Sequence, residues 1–295
     1  TPFFQEIAHI PFWAYDPRNS NEINKKSNAL AQTIDLGPTI LDYFDIPLTE
    51  DMQGKAIFDF IDDDKEIRKA SLYGVMGGQV NVTDGQHVYM RATTTEDNKP
   101  LFDYTLMPTH MKNRFSPREL QEWEKVEGFG FMKGCKVMQI PTRSFPIFSA
   151  KDNPLGRGRT ATLLFDVKND PGQTKPLNDV NIEKRMIELM IREMARNECP
   201  SEQYIRLGLP EPKRLGKGHG DEMIQMPSDK EITDSCVLDK AQGIEAAEHG
   251  AEGFPKMPFK DIFWEGEKTL RSTVFPDNLK LRPGYLISQS EKSEE

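Results

Sequence analysis

Residues 179–196 read DVNIEKRMIELMIREMAR, and this stretch decides the fold of the middle of the chain. Apolar side chains recur at helical spacing until the last turn, where a glutamate takes the same face: Ile182, Met186, Leu189, Met190 and Glu193. The pattern therefore predicts one long amphipathic helix that covers another layer of structure.

The layer beneath this helix is predicted from short alternating runs upstream. Val80 and Val82 alternate with polar residues, and so do Val88 and Met90 beyond Asp84-Gly85-Gln86. An Asp-Gly pair between two alternating runs is typical of a β-hairpin. We also expect a short helix from Ser116 to about Lys125. The full set of predicted strands is Ser71–Met76, Gln79–Thr83, His87–Arg91, Leu101–Met107, Met138–Pro141 and Thr160–Val167. Residues 69–210 are thus predicted to be an α+β subdomain with a small antiparallel sheet and one long helix.

The first 68 residues have a different pattern. His9–Tyr15 is almost continuously apolar, which predicts a strand covered on both faces. In Thr33–Phe44, Asp35 is expected to cap a helix that has Ile40, Leu41 and Phe44 on one face. A strand, a loop and a helix in this order predict the closing part of an α/β layer for residues 1–68.

The last part, residues 211–295, shows no clear periodicity. Its aromatic residues concentrate in Phe254–Phe259 and Ile262–Trp264. We interpret the segment as an irregular extension that wraps either the body of the protein or a partner subunit. In the second case the protein would be a homo-oligomer.

Composition excludes several classes of function. Lys and Arg number 38 against 47 Asp and Glu, and this acidic balance argues against a nucleic-acid surface. No apolar run approaches the roughly 18 residues of a membrane helix, so we expect no membrane partner. Three widely spaced cysteines exclude a disulfide framework, and reduced thiols favour a cytoplasmic location.

Residues with catalytic patterns are scarce. The five histidines are far apart and form no His-x-x-x-His pair, so no metal ligand is predicted. No catalytic residue is predicted either. In Lys133-Gly134-Cys135-Lys136, two cations flank a thiol; a surface turn is the favoured interpretation, and an anion site is the alternative.

Two N-terminal segments nevertheless resemble the sulfatase family. Phe4–Phe12 (FQEIAHIPF), followed by Asp16-Pro17-Arg18, is similar to the sequence just after the Gly-Lys active-site turn of sulfatases. Thr33–Asp42 (TIDLGPTILD), with Met52-Gln53-Gly54-Lys55 after it, resembles the family's (V/I)-D-L-x-P-T-x-L-D helix and following x-Q-G-x-S-L loop. This second match is the most specific one.

Two further segments continue the resemblance in the family's order. Gly77–Gly85, with Tyr89 and Arg91, resembles the C-terminal hairpin of sulfatases. Leu164–Pro171 (LFDVKNDP) resembles the family's L-Y/F-D-L-x-x-D-P-x-E turn, with Gln173 where Glu is usual. The resemblance covers about residues 1–210 and leaves 211–295 unmatched.

The resemblance implies an alkaline-phosphatase-like fold, of which this chain would hold the closing part of the large α/β domain and the C-terminal subdomain. In the family, a Cys or Ser in C/S-x-P-S-R becomes formylglycine, and Ca²⁺ neutralises the sulfate oxygens. That motif is not present, since Cys199-Pro200-Ser201-Glu202 lacks both the spacing residue and the Arg. We therefore expect the C-terminal portion of a sulfatase whose nucleophile and Ca²⁺ site lie upstream of Thr1.

The site residues that remain are on the substrate side, because the family's small subdomain borders the active-site cleft. Lys133 is predicted to meet an anionic sulfate ester of a small molecule or sugar, and His110 is predicted to border the same cleft. The chain alone is expected to be inactive. Two alternatives stay open: a phosphoesterase or phosphonate monoester hydrolase of the same superfamily, and a non-catalytic oligomerisation or binding module.

Overall fold

The structure is a computed structural model that describes residues 4–19, 26–58, 66–95, 97–110, 113–142, 161–216 and 221–238. These residues belong to one unit, Thr1–Gly253, while the second unit, Phe254–Glu295, lies outside the described residues. The predictions for Phe254–Phe259 and Ile262–Trp264 therefore stay predictions.

The described part is a mixed α/β structure with small antiparallel sheets and five α-helices. The strands are β1 Ser71–Gly74, β2 Val80–Thr83, β3 His87–Arg91, β4 Phe102–Thr105, β5 Glu124–Val126, β6 Val137–Pro141, β7 Leu163–Asp166, β8 Lys213–Arg214 and β9 Ile224–Gln225. The helices are α1 Gln5–Ala8, α2 Leu36–Tyr43, α3 Val180–Arg196, α4 Ser201–Leu207 and α5 Asp229–Asp234.

The main sheet has four antiparallel strands in the order β1-β2-β3-β7. The predicted hairpin is confirmed: β2 and β3 pair in a register that sets Val82 opposite Tyr89. Gly85 in the turn has φ +88°, a left-handed conformation that costs glycine little. A second sheet has the order β4-β6-β5, and β8 pairs with β9.

Helix α3 covers one face of the main sheet, as the sequence predicts. The Asp179 carboxylate accepts hydrogen bonds from the amides of Asn181 and Ile182 and so caps the helix. Met186 and Met190 are fully buried in the core that α3 shares with Val82, Tyr89 and Leu164 of the sheet. On the other face, Val88 and Met90 pack with Leu163 and Phe165, and the Phe4 ring meets Phe165 edge-on at 5.8 Å.

Residues beyond the predicted boundary at 210 also enter the core. Ile232 of α5, with Cys236 and Leu238 after it, is buried in the same cluster as α3. Within the described part of 211–295, residues 232–238 therefore pack against α3 as part of the core.

Two predictions of secondary structure were wrong. Residues 9–16 form no strand, and Trp13 is 86% exposed. A continuous apolar run indicates burial, but a strand also needs a neighbouring strand for its backbone hydrogen bonds, and 9–16 pairs with none among the described residues. The segment after Ser116 forms turns, because Glu124–Val126 pairs with β6 as β5 instead of continuing a helix.

Asp35 also departs from its predicted role. Its side chain does not cap α2. It is fully buried and accepts two hydrogen bonds from the Arg68 guanidinium, at 2.5 and 2.6 Å, together with backbone amides of Gln32 and Lys55 at 2.7 and 2.9 Å. This ion pair joins the start of α2 to the residues that lead into β1.

Candidate substrate-binding pocket

A shallow pocket of about 360 Å³ lies where the loop before β6 meets the segment after α2. Its lining residues are Thr49, Glu50, Asp51, Gly130, Phe131 and Lys133. The two sides of the pocket come from parts of the chain about 80 residues apart, one in the first 68 residues and one in the α+β part. Lys133, predicted to be a substrate-binding residue, is on one side of it.

The loop that carries Lys133 is held by a residue that comes just after the end of α3. The Gly130 amide donates a hydrogen bond to the Glu198 carboxylate, and a Cβ at position 130 would collide with that carboxylate. Lys133 and Gly134 both adopt left-handed backbone conformations, with φ +54° and +78°. These two features turn the loop so that Phe131 and Lys133 face Thr49–Asp51.

A row of aromatic rings supports the pocket. The Phe131 ring stacks on Phe129 with centroids 5.6 Å apart and an interplanar angle of 11°, and Phe129 meets Tyr104 edge-on at 5.2 Å. The Tyr104 hydroxyl donates to Glu202 at 2.5 Å and accepts from the Gln139 amide at 2.7 Å. Burial, and then Glu202, raises the pKa of Tyr104, so the hydroxyl stays protonated at neutral pH. Phe131, 42% exposed, is the free end of this row.

The charges in the pocket are mixed. Lys133 Nζ lies 3.4 Å from Asp51 Oδ2, and the Lys133 side chain is 72% exposed. Hydrogen bonds from the backbone amide of Asp51 and the Thr49 hydroxyl, and then from Lys133, hold the pKa of Asp51 below its ordinary value. With Glu50 beside it, the pocket presents two carboxylates and one ammonium group, so an anion that approaches Lys133 also meets the negative charges of Glu50 and Asp51.

His110 lies in a different environment from Lys133. Its ring nitrogen Nε2 is 2.7 Å from Glu119 Oε1, and its ring packs on Phe115 with centroids 4.3 Å apart. The Ser116 amide and hydroxyl, followed by His110, lower the pKa of Glu119 to about 2. His110 is not a lining residue of the pocket, and its role toward a substrate stays a prediction.

Sequence reasoning found Lys133 but missed the rest of the pocket. Phe129-Gly130-Phe131 offered a signal, because two aromatic residues around a glycine directly precede the predicted cation. Nothing in the sequence placed Thr49, Glu50 and Asp51 opposite that loop.

The described residues do not suit the Ca²⁺ ion that the resemblance implies. Within the described ranges, no three His, Cys, Asp or Glu side chains lie close enough together to hold a metal ion. Calcium needs six to eight oxygen ligands, so this part of the chain supplies no Ca²⁺ site.

Comparison of the chain with models of known protein families and with curated protein sequences gave no match. Among the residues that the structure describes, no helix has the length and apolar character needed to cross a membrane.

Proposed function

We propose that this chain is the C-terminal part of a sulfatase, a sulfuric ester hydrolase with an alkaline-phosphatase-like fold, in which it completes the fold and borders the substrate cleft. The formylglycine nucleophile and the Ca²⁺ site would be supplied by an upstream α/β domain. Those groups would carry out the attack on sulfur, and residues of this chain would bind and orient the ester.

One observation carries this proposal: among the first 48 residues, those that the structure describes expose a large amount of apolar surface. Fractional exposure reaches 86% at Trp13 and lies between 49% and 74% for the other members, Ile7, Ile10, Phe12, Tyr15, Ile40, Phe44 and Ile46. We call these eight residues the N-terminal apolar surface. Scattered apolar residues are normal on a protein surface, but this many in one 40-residue stretch indicate a surface that another body covers.

Internal contacts hold residues 16–18 against α2. Arg18 pairs with Asp16 at 2.8 Å, and its guanidinium lies 4.6 Å from the centre of the Tyr43 ring on α2. The side chains that remain exposed are therefore presented outward by a segment docked on α2. An upstream α/β domain that continues into this segment would cover them, which agrees with the resemblance of residues 4–18 and 33–42 to the sulfatase large domain.

Two alternatives account for the same surface. A phosphoesterase or phosphonate monoester hydrolase would bury it in the same way and would differ only in its upstream nucleophile. A non-catalytic module would bury it against a second copy of the chain. The upstream coding sequence separates them: C/S-x-P-S-R supports a sulfatase, Thr or an unmodified Ser supports a phosphoesterase, and no upstream domain supports the module.

The first prediction compares the 295-residue chain with the product of the complete coding sequence. We expect inorganic sulfate release from 4-nitrophenyl sulfate or a sulfated sugar by the complete product and none above the buffer control by the chain, because the chain contains no C/S-x-P-S-R motif that could become formylglycine. Ion chromatography of the released sulfate makes the measurement. Sulfate release by the chain would refute the assignment of the chemistry to an upstream domain.

A second prediction concerns Lys133 in the complete enzyme. Lys133→Ala should raise KM for a sulfate ester about threefold to tenfold with little change in kcat, because an ammonium that binds the ester equally in the ground and transition states contributes to binding alone. Lys136→Ala is the matched control: Lys136 belongs to the same loop, pairs with Glu127 at 2.6 Å and does not line the pocket. An unchanged KM in Lys133→Ala would exclude Lys133 from substrate binding.

A further inference from the structure

We propose that Gln173 is a positioning residue, which holds the start of α1 in the place that the proposed sulfatase chemistry requires. Its side-chain oxygen Oε1 accepts a hydrogen bond from the Gln5 amide at 2.7 Å, across 168 residues of sequence. This inference rests on the proposed function for the chemistry, whereas the contact itself belongs to this chain. It gives a role to the glutamine that stands where the similar sulfatase motif has Glu.

The Gln173 side chain is kept in place at a structural cost. It is 5% exposed, and its Nε2 has no hydrogen-bond partner among the described residues. A buried donor without a partner lowers stability. The backbone of Gln173 also adopts a left-handed conformation, with φ +48°, which residues other than glycine and asparagine rarely take. Strained residues of this kind cluster at functional positions, and here the side-chain oxygen is the polar atom that is used.

The turn that carries Gln173 is braced by its own hydrogen bonds. The Gln173 amide donates to the Asp170 carbonyl at 3.0 Å, and the Asp170 carboxylate accepts from the Thr174 hydroxyl, also at 3.0 Å. Just beyond the turn, the Leu177 amide donates to the Leu164 carbonyl of β7 at 2.7 Å. Gln173 is therefore fixed to the main sheet and can hold another segment in place.

The start of α1 is fixed by two contacts, of which Gln173 makes one. The Phe4 ring meets Phe165 of β7 edge-on at 5.8 Å and packs with the apolar residues on that face of the sheet. Gln5 is the first residue of α1, so its amide has no carbonyl acceptor within the helix. Gln173 supplies that acceptor. The two contacts together determine where the chain enters α1.

Under the proposed function, this entry point matters for the chemistry. Residues 4–12 resemble the sequence just after the Gly-Lys active-site turn of sulfatases, so the upstream domain would place that turn directly before α1. A displacement of about 1 Å in a catalytic group can lower a rate about a hundredfold. We therefore expect a change at Gln173 to alter the rate through the position of α1 and to leave substrate binding unchanged.

The test compares variants of the product of the complete coding sequence. Gln173→Met keeps the length of the side chain but removes Oε1, whereas Gln173→Glu keeps an oxygen acceptor. At a temperature where all variants are folded, Gln173→Met should lower kcat for 4-nitrophenyl sulfate about tenfold or more, with KM within about twofold, and Gln173→Glu should keep kcat within about threefold. Gln86→Met is the control, because Gln86 is an exposed glutamine in the turn between β2 and β3.

Hydrogen–deuterium exchange of the same proteins measures the contact independently of activity. The peptide that covers residues 4–9 should exchange about tenfold faster in Gln173→Met and at the wild-type rate in Gln173→Glu and Gln86→Met. If Gln173→Met unfolds, Gln173→Gly takes its place, because glycine removes the same oxygen and adopts the left-handed backbone without strain.

The two proposals fail in different ways. Unchanged exchange in Gln173→Met would overturn the contact, and faster exchange with an unchanged kcat would overturn the positioning role. If the wild-type protein releases no sulfate, the proposed function fails, and the exchange rate alone then decides whether Gln173 holds α1.

Discussion

Glu183→Ala is expected to lower the free energy of unfolding by about 3–5 kcal/mol, the usual cost of removing one partner of a buried charged pair. Glu183 is fully buried in α3, and its carboxylate accepts three hydrogen bonds and lies near the Arg91 guanidinium. Oε1 accepts from the Tyr89 hydroxyl at 2.9 Å and the Val237 amide at 3.0 Å, Oε2 accepts from the Leu238 amide at 3.1 Å, and Arg91 Nη1 lies 4.0 Å away.

The size of this effect follows from what the substitution leaves behind. Arg91 is 1% exposed, and its other donors are already engaged with the carbonyl oxygens of Leu207, Gly208 and Ser235 and with the Tyr89 hydroxyl. Without Glu183, its charge is buried with no anion within the network, and two backbone amides lose their acceptor. The same carboxylate joins β3, α3 and the residues after α5, so its loss should loosen all three.

Urea denaturation followed by circular dichroism measures this effect. Glu188→Ala is the matched control, because Glu188 lies five residues further along α3 and is only partly buried. It should change the free energy of unfolding by less than about 0.5 kcal/mol. Glu183→Gln should give an intermediate loss, because it keeps one acceptor oxygen but removes the charge that compensates Arg91. If Glu183→Ala lowers the free energy of unfolding by less than about 1 kcal/mol, water replaces the carboxylate. The expectation that Arg91 and the two amides are left without a partner would then be wrong.

The second large effect is expected at Asp35. Asp35→Ala should also cost about 3–5 kcal/mol, because it leaves the buried Arg68 guanidinium without its carboxylate and frees the amides of Gln32 and Lys55. The double variant Asp35→Asn/Arg68→Met removes both charges and should be more stable than Asp35→Ala. A double-mutant cycle with Asp35→Asn and Arg68→Met then gives the coupling energy of the pair. Additive losses would contradict a coupled ion pair.

The Asp35 carboxylate should also make the stability of the protein depend on pH. Burial alone would raise the pKa of Asp35, but hydrogen bonds from Arg68 and from the amides of Lys55 and Gln32 outweigh it and hold the pKa below its ordinary value of 3.8. Because the unfolded chain binds this proton first, the contribution to stability is fully present above the unfolded pKa and is lost as pH falls through the folded one.

The stability difference between the wild type and Asp35→Asn should therefore be constant above about pH 5 and shrink as the solution is acidified below about pH 4. Midpoints of urea denaturation, measured about every half pH unit between pH 3 and 7, test this expectation. Asp179→Asn, at a partly buried helix cap whose carboxylate accepts hydrogen bonds from the amides of Asn181 and Ile182, is a suitable comparison. A difference that grows on acidification would reverse the sign and refute the assignment.

Local sequence was sufficient for elements that one segment specifies by itself. The apolar period of 179–196 predicted α3, and the alternation around Asp84-Gly85 predicted the hairpin of β2 and β3. Glu183 illustrates the limit of the same reasoning. It lies one turn before Met186 on the buried side of α3, but the period of apolar residues carries no information on a buried carboxylate whose partners are Tyr89 and Val237.

Features that depend on a second segment emerge only when the chain is folded. The continuous apolar run in 9–15 does not show whether those residues form a strand or lie exposed on the surface. A strand needs a neighbouring strand for its backbone hydrogen bonds. Lys133 was recognisable as a cation, but its pocket exists because Asp51, some 80 residues earlier, packs against its loop. Helix α3 and the hairpin were thus predictable from local sequence, since their signals are local periods and turns. Folding decided the Glu183 network, the Asp35–Arg68 pair and the pocket, since each joins residues whose separation in the chain hides their contact.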